Sequence, residues 1–280
     1  MGADKFDLIH WHIDWLHLPF ARCIKTPCVT TLHGRLDLPF MSTMVQGFAK
    51  SRFVSISNSQ RTPLPDLNWA ATVYHRLPAN LLSYRANSAG YLAFLGRFTP
   101  EKGPDVAIRV ARAAQMPLRI AAKIPRGETR YFKDAIKPLL DGHDIQFVGE
   151  VNDKQKNDFL GNAAALLFPI DWPEPFGLVM IEAMACGTPV IAWRRGSVPE
   201  IVEDGVSGFI VETEAEAVNA ISKLGLLERE TVRQAFERRF TAKRMGAEYL
   251  ECFKTLLSRQ PQARIHKHHT APNGTAETRI

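Results

Sequence analysis

Short apolar segments alternate with helix-like segments along most of the 280-residue chain. The apolar segments are rich in branched aliphatic residues, as strands are in parallel sheets whose faces are covered by helices. The predicted strands cover residues 6–10, 28–32, 53–57, 72–75, 91–96, 118–123, 145–149, 165–169, 189–193 and 208–211. Predicted helices cover residues 104–114, 128–140, 153–162 and 176–186, with further helical pieces from 214 to 257. This alternation predicts an α/β protein built on parallel sheets.

The pattern divides the chain into two unequal halves. Residues 90–240 supply six predicted strands with helices between them, enough for a complete doubly wound domain. Residues 1–80 supply about four strands and begin almost directly on one, which predicts an incomplete domain of the same kind. The loop-like segment 77–90 is the predicted boundary. We expect the helix at 241–258 to cross back to the first domain, and the polar residues 259–280 to form a disordered tail.

The composition is that of a globular protein, with 45% hydrophobic and 23% charged residues. The net charge is +6, but half of this excess lies at 259–280, where four basic residues face one glutamate. The remaining charge forms no dense basic stripe, so nucleic acid is not an expected partner. A phosphorylated small ligand, or contact with an acidic membrane surface, suits this modest charge better.

The expected compartment follows from what the sequence lacks. No apolar run reaches the roughly 18 residues that cross a bilayer, and the start has no apolar core of a signal peptide. The four cysteines form no CxxC pair, as is usual for reduced thiols. We therefore expect a cytoplasmic protein without a membrane-spanning helix.

The segment GRFTPEKGPD follows the predicted strand at 91–96 and carries two cations. Gly96 allows a sharp turn, Arg97 follows at once, and Lys102 comes just before a helix that starts at Gly103-Pro104. Two fixed cations beside a positive helix terminus favour a phosphate or diphosphate site. The alternative is an exposed loop with ordinary surface charges.

The segment PIDWPEPFGLVMIEAMACGTPVIAW places a carboxylate on a helix that is apolar all round. Such a helix is buried, so Glu182 needs a hydrogen-bond partner, and Glu174 lies in the Pro-rich loop before it. The partner could be structural, such as Arg194 or a backbone amide, or it could be a pair of ligand hydroxyls. The free amides at the start of the helix can hold an anion or sugar hydroxyls: Phe176, Gly177 and Leu178.

Three motifs in order carry a resemblance to a known family. GRFTPEKG is followed by EPFGLVMIEAMACGTPVIA, with Glu174 and Glu182 in E-x7-E spacing, and then by GSVPEIVEDGVSGFIV. Over residues 90–215 the chain resembles the C-terminal domain of retaining glycosyltransferases of family 4. DLIHWHID, TTLHGRLDLP and SISNSQR are similar to parts of that family's acceptor-side domain. The resemblance implies the GT-B fold, two Rossmann-like doubly wound domains, of which the N-terminal one is incomplete here.

The resemblance also implies a nucleotide-diphosphate sugar as donor substrate. Arg97 and Lys102 would bind its diphosphate, Glu182 would accept from the ribose hydroxyls, and Glu174 would lie near the hydroxyls of the sugar. The helix-start amides of residues 176–178 would help to hold sugar and phosphate. A turn at the mouth of another strand would lie near the base, through Gly149 and Val151. Members of the family typically need no divalent cation, and the sequence has no Asp-x-Asp pair, so no metal and no other cofactor is expected.

The remaining candidates are histidines of the first half. His33 follows a predicted strand and precedes Gly34, and the family places a histidine here that faces the donor sugar, in a sugar-contacting or catalytic role. Its alternative is a histidine that caps a loop. His10 and His12 alternate on a strand and share a face. A metal pair needs a third ligand that the sequence does not reveal, so packing or acceptor contact is expected for them.

The start departs from the family pattern, because no strand with a Gly-rich loop precedes Asp7. We expect a retaining glycosyltransferase that moves a sugar to the hydroxyl of an unidentified acceptor. The alternative is a non-catalytic nucleotide-sugar-binding protein derived from such an enzyme. A GT-B-like epimerase is disfavoured by the E-x7-E spacing. The oligomeric state stays open.

Overall fold

The computed structural model describes residues 2–258, so the predicted tail at 259–280 lies outside the described residues. A first sheet contains four parallel strands in chain order: β1 (Ile9–Trp11), β2 (Cys28–Thr31), β3 (Phe53–Ser55) and β4 (Trp69–Thr72). Each crossover therefore moves the chain one strand further in the same direction. Two helices precede its second and third strands: α1 (Leu18–Ala21) and α2 (Pro39–Gln46).

A second sheet contains six parallel strands: β5 (Tyr91–Arg97), β6 (Leu118–Lys123), β7 (Ile145–Gly149), β8 (Ala163–Phe168), β9 (Val190–Trp193) and β10 (Gly208–Val211). Their order is β10-β9-β8-β5-β6-β7, so the chain starts in the middle, runs to one edge, and returns beside its starting strand. This reversal between β5 and β8 is a topological switch point. Ligands of doubly wound sheets bind outside the carboxyl ends of the strands at such a point.

Eight helices connect and follow these strands: α3 (Pro104–Ala113), α4 (Thr129–Tyr131), α5 (Asp153–Gly161), α6 (Leu178–Ala185), α7 (Val198–Ile201), α8 (Glu214–Ser222), α9 (Arg229–Arg239) and α10 (Ala242–Ser258). Helix α6 is buried and belongs to the core, as its apolar sequence indicates. Helix α10 returns to the first sheet, where Cys252 and Leu256 cover Val29, Val54 and Val73. None of the helices within residues 2–258 is long and apolar enough to cross a membrane.

The predicted helix at 128–140 is wrong as a continuous element. A 3-10 turn (Arg126–Glu128), α4, a π-helical turn (Phe132–Ile136) and another 3-10 turn (Lys137–Leu139) occupy this stretch. Pro138 explains the break, because it has no amide hydrogen and its ring collides with the carbonyl four residues earlier. Before this proline the backbone forms a π-helical turn instead of continuing as an α-helix.

Two strands of the first sheet lie elsewhere than predicted. Strand β1 begins at Ile9, where pairing with β2 starts, rather than at residue 6. Strand β4 ends at Thr72, where the prediction for that strand began. Its partner β3 is short because the amide of Ile56 donates to Oε1 of Gln60 at 2.9 Å instead of extending the sheet. Residues 74 and 75 therefore lie outside the sheet, and their side chains contact the other half of the molecule.

The two halves meet through a carboxylate of the second half. Glu200, on α7, accepts hydrogen bonds from the amides of Asn58 (2.7 Å) and Ser59 (2.6 Å). It also accepts from the hydroxyl of Tyr74 at 2.9 Å. Arg35, just beyond β2, stacks over the ring of Trp172, just beyond β8, at 5.1 Å. The carboxyl ends of both sheets therefore face one cleft.

Candidate functional site

A cavity of about 400 Å³ lies at the carboxyl ends of β5 and β8, and hence at the switch point of the second sheet. We call it the switch-point cavity. Seven residues singled out in the sequence line it: Arg97, Lys102, Val151, Glu174, Gly177, Leu178 and Glu182. Residues far apart in sequence meet here because the strand order brings the ends of β5 and β8 side by side.

Lys102 and Glu174 form an ion pair in this cavity. Their side chains are only 15% and 11% exposed, and the Lys102 ammonium lies 4.7 Å from the centre of the Trp172 ring. Water screens a pair this enclosed much less than it screens a surface pair. The residue predicted to bind phosphate, Lys102, therefore contacts the residue predicted to bind the sugar, Glu174.

Two glycines allow the loops of this pair to approach closely. Gly103 has a φ of 65°, and a Cβ atom there would lie 2.2 Å from the carbonyl oxygen of Pro169. Gly196 has a φ of 52°, and a Cβ atom there would lie 2.4 Å from the backbone of Glu174. The left-handed backbone and the missing side chain are both needed at these positions.

Glu182 meets a lysine that the sequence did not single out. The ammonium of Lys156, on α5, donates to Oε1 of Glu182 at 2.7 Å, and the two side chains are 21% and 13% exposed. Burial acts to lower the pKa of Lys156, but the hydrogen bond and the charge of Glu182 outweigh it and raise the pKa above its usual value. The suggested structural partner, Arg194, was wrong: it lies 3.2 Å from Glu212 instead.

A sequence signal for Lys156 exists in retrospect. Asn152 and Gln155 form a capping box, in which each side chain accepts from the other residue's backbone amide. An N-x-x-Q pattern directly after a predicted strand thus marks the start of α5. It puts Lys156 in the first turns of a helix at the carboxyl edge of the sheet.

Arg97 is the most exposed cation of the cavity, with 55% of its side chain accessible. The carboxylate nearest to it is Glu101, at 4.0 Å, which is too distant for a hydrogen bond. The charged groups that line the cavity are thus three cations and two carboxylates. The excess positive charge favours an anionic ligand.

Some of the remaining second-half candidates line the switch-point cavity and others do not. Helix α6 begins at Leu178, and Gly177 before it has a φ of 78°. The ring of Phe176 is buried against Phe240 and lies edge-on to His75, so that side chain packs between the two halves. Gly149 ends β7 with a φ of 84° and lies two residues before Val151, which lines the cavity.

In the first half, four histidines meet at the carboxyl edge of the sheet. Nε2 of His12 lies 3.2 Å from Nδ1 of His10, and Nδ1 of His12 lies 2.9 Å from Nε2 of His33. Nδ1 of His33 lies 3.3 Å from Nε2 of His75. The row ends on Thr31, whose Oγ1 is 2.8 Å from Nε2 of His10. We call this row the imidazole chain.

Both ring nitrogens of His33 are therefore occupied by other imidazoles. A sugar hydroxyl can bond to His33 only by displacing His12 or His75. Sequence reasoning missed His75, which follows β4 and lies 5.3 Å edge-on to Phe176. The imidazole chain thus reaches Phe176, which directly precedes Gly177 of the cavity lining.

The imidazoles of the chain favour the neutral form. Burial, followed by the charge that the neighbouring imidazoles would carry, lowers the pKa of His10 and of His75 to about 4. Burial also lowers the pKa values of His12 and His33. The nitrogens face each other in pairs and do not converge on one point. Within residues 2–258, no group of three or more His, Cys, Asp or Glu side chains is arranged to hold a metal ion.

Two open parallel sheets with a ligand-sized cavity at the switch point define a protein of the GT-B class. The sequence model of the family described as Glycosyl transferases group 1 matches residues 85–239, which is more than half of the chain. The chain therefore belongs to the group 1 glycosyl transferases. The predicted α/β fold with two parallel-sheet domains is confirmed.

Similar proteins include glycosyltransferases of archaea and bacteria. An uncharacterized glycosyltransferase of Methanocaldococcus jannaschii is 26% identical over 226 residues, which cover 75% of this chain and 62% of that protein. The D-inositol 3-phosphate glycosyltransferase of Mycolicibacterium smegmatis is 37% identical over 124 residues, which cover 43% of this chain and 29% of that protein. The chain thus spans less than two thirds of the length of these relatives.

Solved structures share the fold at low sequence identity. Anabaena HepE in complex with UDP and glucose has a TM-score of 0.74 at 21% identity, covering 90% of this chain and 79% of HepE. Sucrose-phosphate synthase from Thermosynechococcus elongatus has a TM-score of 0.75 at 19% identity, covering 91% of this chain and 75% of that chain. These likenesses establish the architecture.

Proposed function

We propose that the protein is a retaining glycosyltransferase that moves a sugar from a nucleotide-diphosphate sugar to an acceptor hydroxyl. The observation that carries this proposal is the switch-point cavity, where the ion pairs Lys102–Glu174 and Lys156–Glu182 lie beside Arg97, whose side chain is 55% exposed. The cavity offers cations to a diphosphate and carboxylates to sugar hydroxyls, which are the two kinds of group that such a donor carries.

Donor binding would rearrange the first pair. A diphosphate carries more negative charge than one carboxylate, so it would draw Lys102 away from Glu174 and add Arg97 as a second contact. Glu174 would then be free to accept hydrogen bonds from the sugar. The pair thus couples occupation of the phosphate position to release of the sugar ligand.

The second pair would hold the ribose. Lys156 donates to Oε1 of Glu182 and orients this half-buried carboxylate. Its other oxygen would accept from a ribose hydroxyl. The amides at the start of α6, at Gly177 and Leu178, would add donors toward sugar and phosphate, because the first amides of a helix have no partner within it.

Catalysis would rest on the leaving group. Departure of a nucleoside diphosphate builds negative charge, and fixed cations such as Arg97 and Lys102 stabilise it without a metal ion or another cofactor. The sugar passes through an oxocarbenium-like transition state. On the opposite wall of the cleft, His33 would bond to the sugar after a sugar hydroxyl displaces His12 or His75 from it, and the acceptor would enter from this side.

The test is calorimetric titration of the protein with UDP, GDP and ADP, each with and without EDTA. UDP is the first choice because it occupies the related HepE structures. We expect one of the three to bind and EDTA to leave its affinity unchanged. Binding of none of them would contradict the proposal, and a strict need for magnesium or manganese would contradict its metal-free form. Release of the nucleoside diphosphate from its sugar in the presence of protein then measures turnover.

A further inference from the structure

A second cavity lies at the opposite, amino-terminal edge of the first sheet. Its volume is about 680 Å³, larger than that of the switch-point cavity. It lies between the end of α1 and the end of α2, where β2 begins at Cys28 and Arg52 leads into β3. We call it the α1–α2 cavity. Nothing in the proposed transfer reaction uses this edge.

The charged side chains that line the α1–α2 cavity are all basic: Arg22, Lys25, Lys50 and Arg52. No carboxylate lines it, and none of the four forms an ion pair within residues 2–258. In the switch-point cavity, by contrast, each lysine has its own glutamate. Four cations gathered without a counter-charge produce a strongly positive potential that favours an anion.

A buried histidine adds a directed polar group to these charges. His17 lines the cavity, is only 3% exposed, and has its Nε2 2.8 Å from Oγ1 of Thr30. Its Nδ1 is buried and has no hydrogen-bond partner among residues 2–258. A buried polar atom of this kind calls for a missing partner, because leaving it unpaired is costly. Nδ1 is sealed from solvent in this structure, so a phosphate oxygen could accept from it only after the side chains around His17 shift, while the Thr30 hydroxyl donates to Nε2.

The surroundings distinguish a lipid phosphate from a free one. Phe20 is 72% exposed on α1, the helix whose Leu18 and Ala21 line the cavity, and Leu16 just before it is 61% exposed. A soluble phosphate needs no exposed aromatic and aliphatic neighbours. A membrane surface combines anionic phosphates with an apolar layer directly beneath them.

We propose that the α1–α2 cavity binds the phosphate of an anionic phospholipid while Leu16 and Phe20 enter the headgroup region. The site is separate from the cleft: Thr30 of β2 faces this cavity, and its neighbour Thr31 faces the imidazole chain. It therefore attaches the protein to a membrane and leaves the carboxyl edges of both sheets open. The proposal does not depend on glycosyl transfer.

The test is co-sedimentation of the whole chain with vesicles of phosphatidylcholine alone and of equimolar phosphatidylcholine and phosphatidylglycerol. We expect binding to the anionic vesicles only. The double variant Lys25→Glu/Lys50→Glu should weaken it at least about tenfold, because each basic residue near an anionic surface contributes substantially. The matched control is Arg130→Glu/Lys133→Glu, which makes the same charge change at exposed residues of the second half.

A second pair of variants tests how much an exposed apolar side chain contributes to vesicle binding. Phe20→Ser should weaken binding to the anionic vesicles about fivefold, because the variant has no aromatic ring to transfer from water into the membrane. Leu226→Ser, at a 77% exposed position of the second half, should leave it unchanged. All six substitutions in these four variants fall on exposed side chains, so folding is not at risk.

Three outcomes would overturn the proposal. Equal loss in Lys25→Glu/Lys50→Glu and Arg130→Glu/Lys133→Glu would mean that net charge alone attracts the protein. Unchanged binding of Lys25→Glu/Lys50→Glu would exclude the cavity. Calorimetric binding of glycerol 3-phosphate or inorganic phosphate without any vesicle binding would assign the site to a soluble phosphate instead.

Discussion

The two sheets of this protein are built from the same parallel strand-helix unit, but only the second reverses its strand order. In the second sheet the reversal between β5 and β8 opens a cavity that its own loops line. The first sheet runs β1-β2-β3-β4 without a reversal, and its carboxyl edge carries a row of side chains bonded to one another. The strand order thus decides which half forms a cavity at its carboxyl edge and which half supplies the facing wall of the cleft.

The halves also differ in how they hold ionisable groups. The second half pairs lysine with glutamate at 11–21% exposure, so each of these side chains has an opposite partner beside it in an enclosed place. The first half places imidazoles next to imidazoles, and burial with mutual repulsion keeps them neutral. One wall of the cleft therefore contains Lys–Glu ion pairs, and the other contains imidazoles that favour the neutral form.

The largest effect we expect concerns the tight turn of the second half. Gly103→Ala should lower the free energy of unfolding by about 3 kcal/mol, because a left-handed backbone and a collision with the Pro169 carbonyl are both imposed. Gly246→Ala, in α10, is the control: nothing lies within 4 Å of its added Cβ, so stability should stay or rise by about 0.5–1 kcal/mol. Urea denaturation of both variants measures this, and equal stabilities would contradict the difference.

The next effect separates phosphate contacts from ribose contacts within the cavity. Arg97→Ala or Lys102→Ala should weaken nucleoside diphosphate binding by about 1.5–3 kcal/mol, roughly ten- to a hundredfold, and spare the bare nucleoside. Glu182→Ala should weaken both ligands. Lys123→Ala, at the same sheet edge but outside the cavity lining, is the control. If Glu182→Ala bound both ligands normally yet melted early, Glu182 would be a structural carboxylate and its ribose role would be wrong.

A smaller effect concerns the junction between the halves. Glu200→Gln should lower the free energy of unfolding by about 1–2 kcal/mol, because charged hydrogen bonds to two amides and to Tyr74 are weakened. Burial first, and then the charge of Glu200, raise the pKa of Tyr74 to about 12. This pKa should fall toward 10 in the variant. Glu237→Gln changes a carboxylate that is 50% exposed and pairs within one half, so it should change neither urea stability nor the ultraviolet titration of tyrosine.

The smallest and most gradual effect we expect is a pH dependence of the free energy of unfolding that originates at His10 in the first half. His10 has a folded pKa of about 4 against 6.5 when unfolded, so between these values the unfolded chain binds more protons. Its contribution to stability is complete above pH 6.5 and is lost as the pH falls toward 4. Denaturation between pH 7 and 4 should therefore show a shallower loss for His10→Asn than for the parent. His143→Asn, with a 91% exposed ring, should follow the parent, and a parallel course of all three proteins would refute the effect.

Local pattern predicted most of what a single segment of chain can decide. The alternation of apolar and helical segments predicted a strand close to each one in the described structure, although β4 lies three residues earlier than predicted, and Gly103-Pro104 predicted a helix start that the structure contains. The spacing of Glu174 and Glu182 placed both on one loop and one helix, and both line the cavity. Where a local rule was overlooked, as with Pro138 inside a predicted helix, the prediction failed.

Partners were beyond the reach of sequence reasoning. Lys156 was missed because the element that supplies it depends on the strand order, which brings α5 alongside α6. Glu200 and His75 were missed for the same reason, since each acts on the other half of the molecule.

The sequence by itself determined the fold class, the alternation of strands and helices and the kinds of charge at the strand ends of the second sheet. These follow from hydrophobic period and from residue chemistry, both of which are local. Only the tertiary structure decided which charge meets which, that both nitrogens of His33 are occupied, and that four cations at the far edge of the first sheet stand without a carboxylate. Such pairings depend on distances of a few ångströms between elements, and these are set by packing and not by position in the chain.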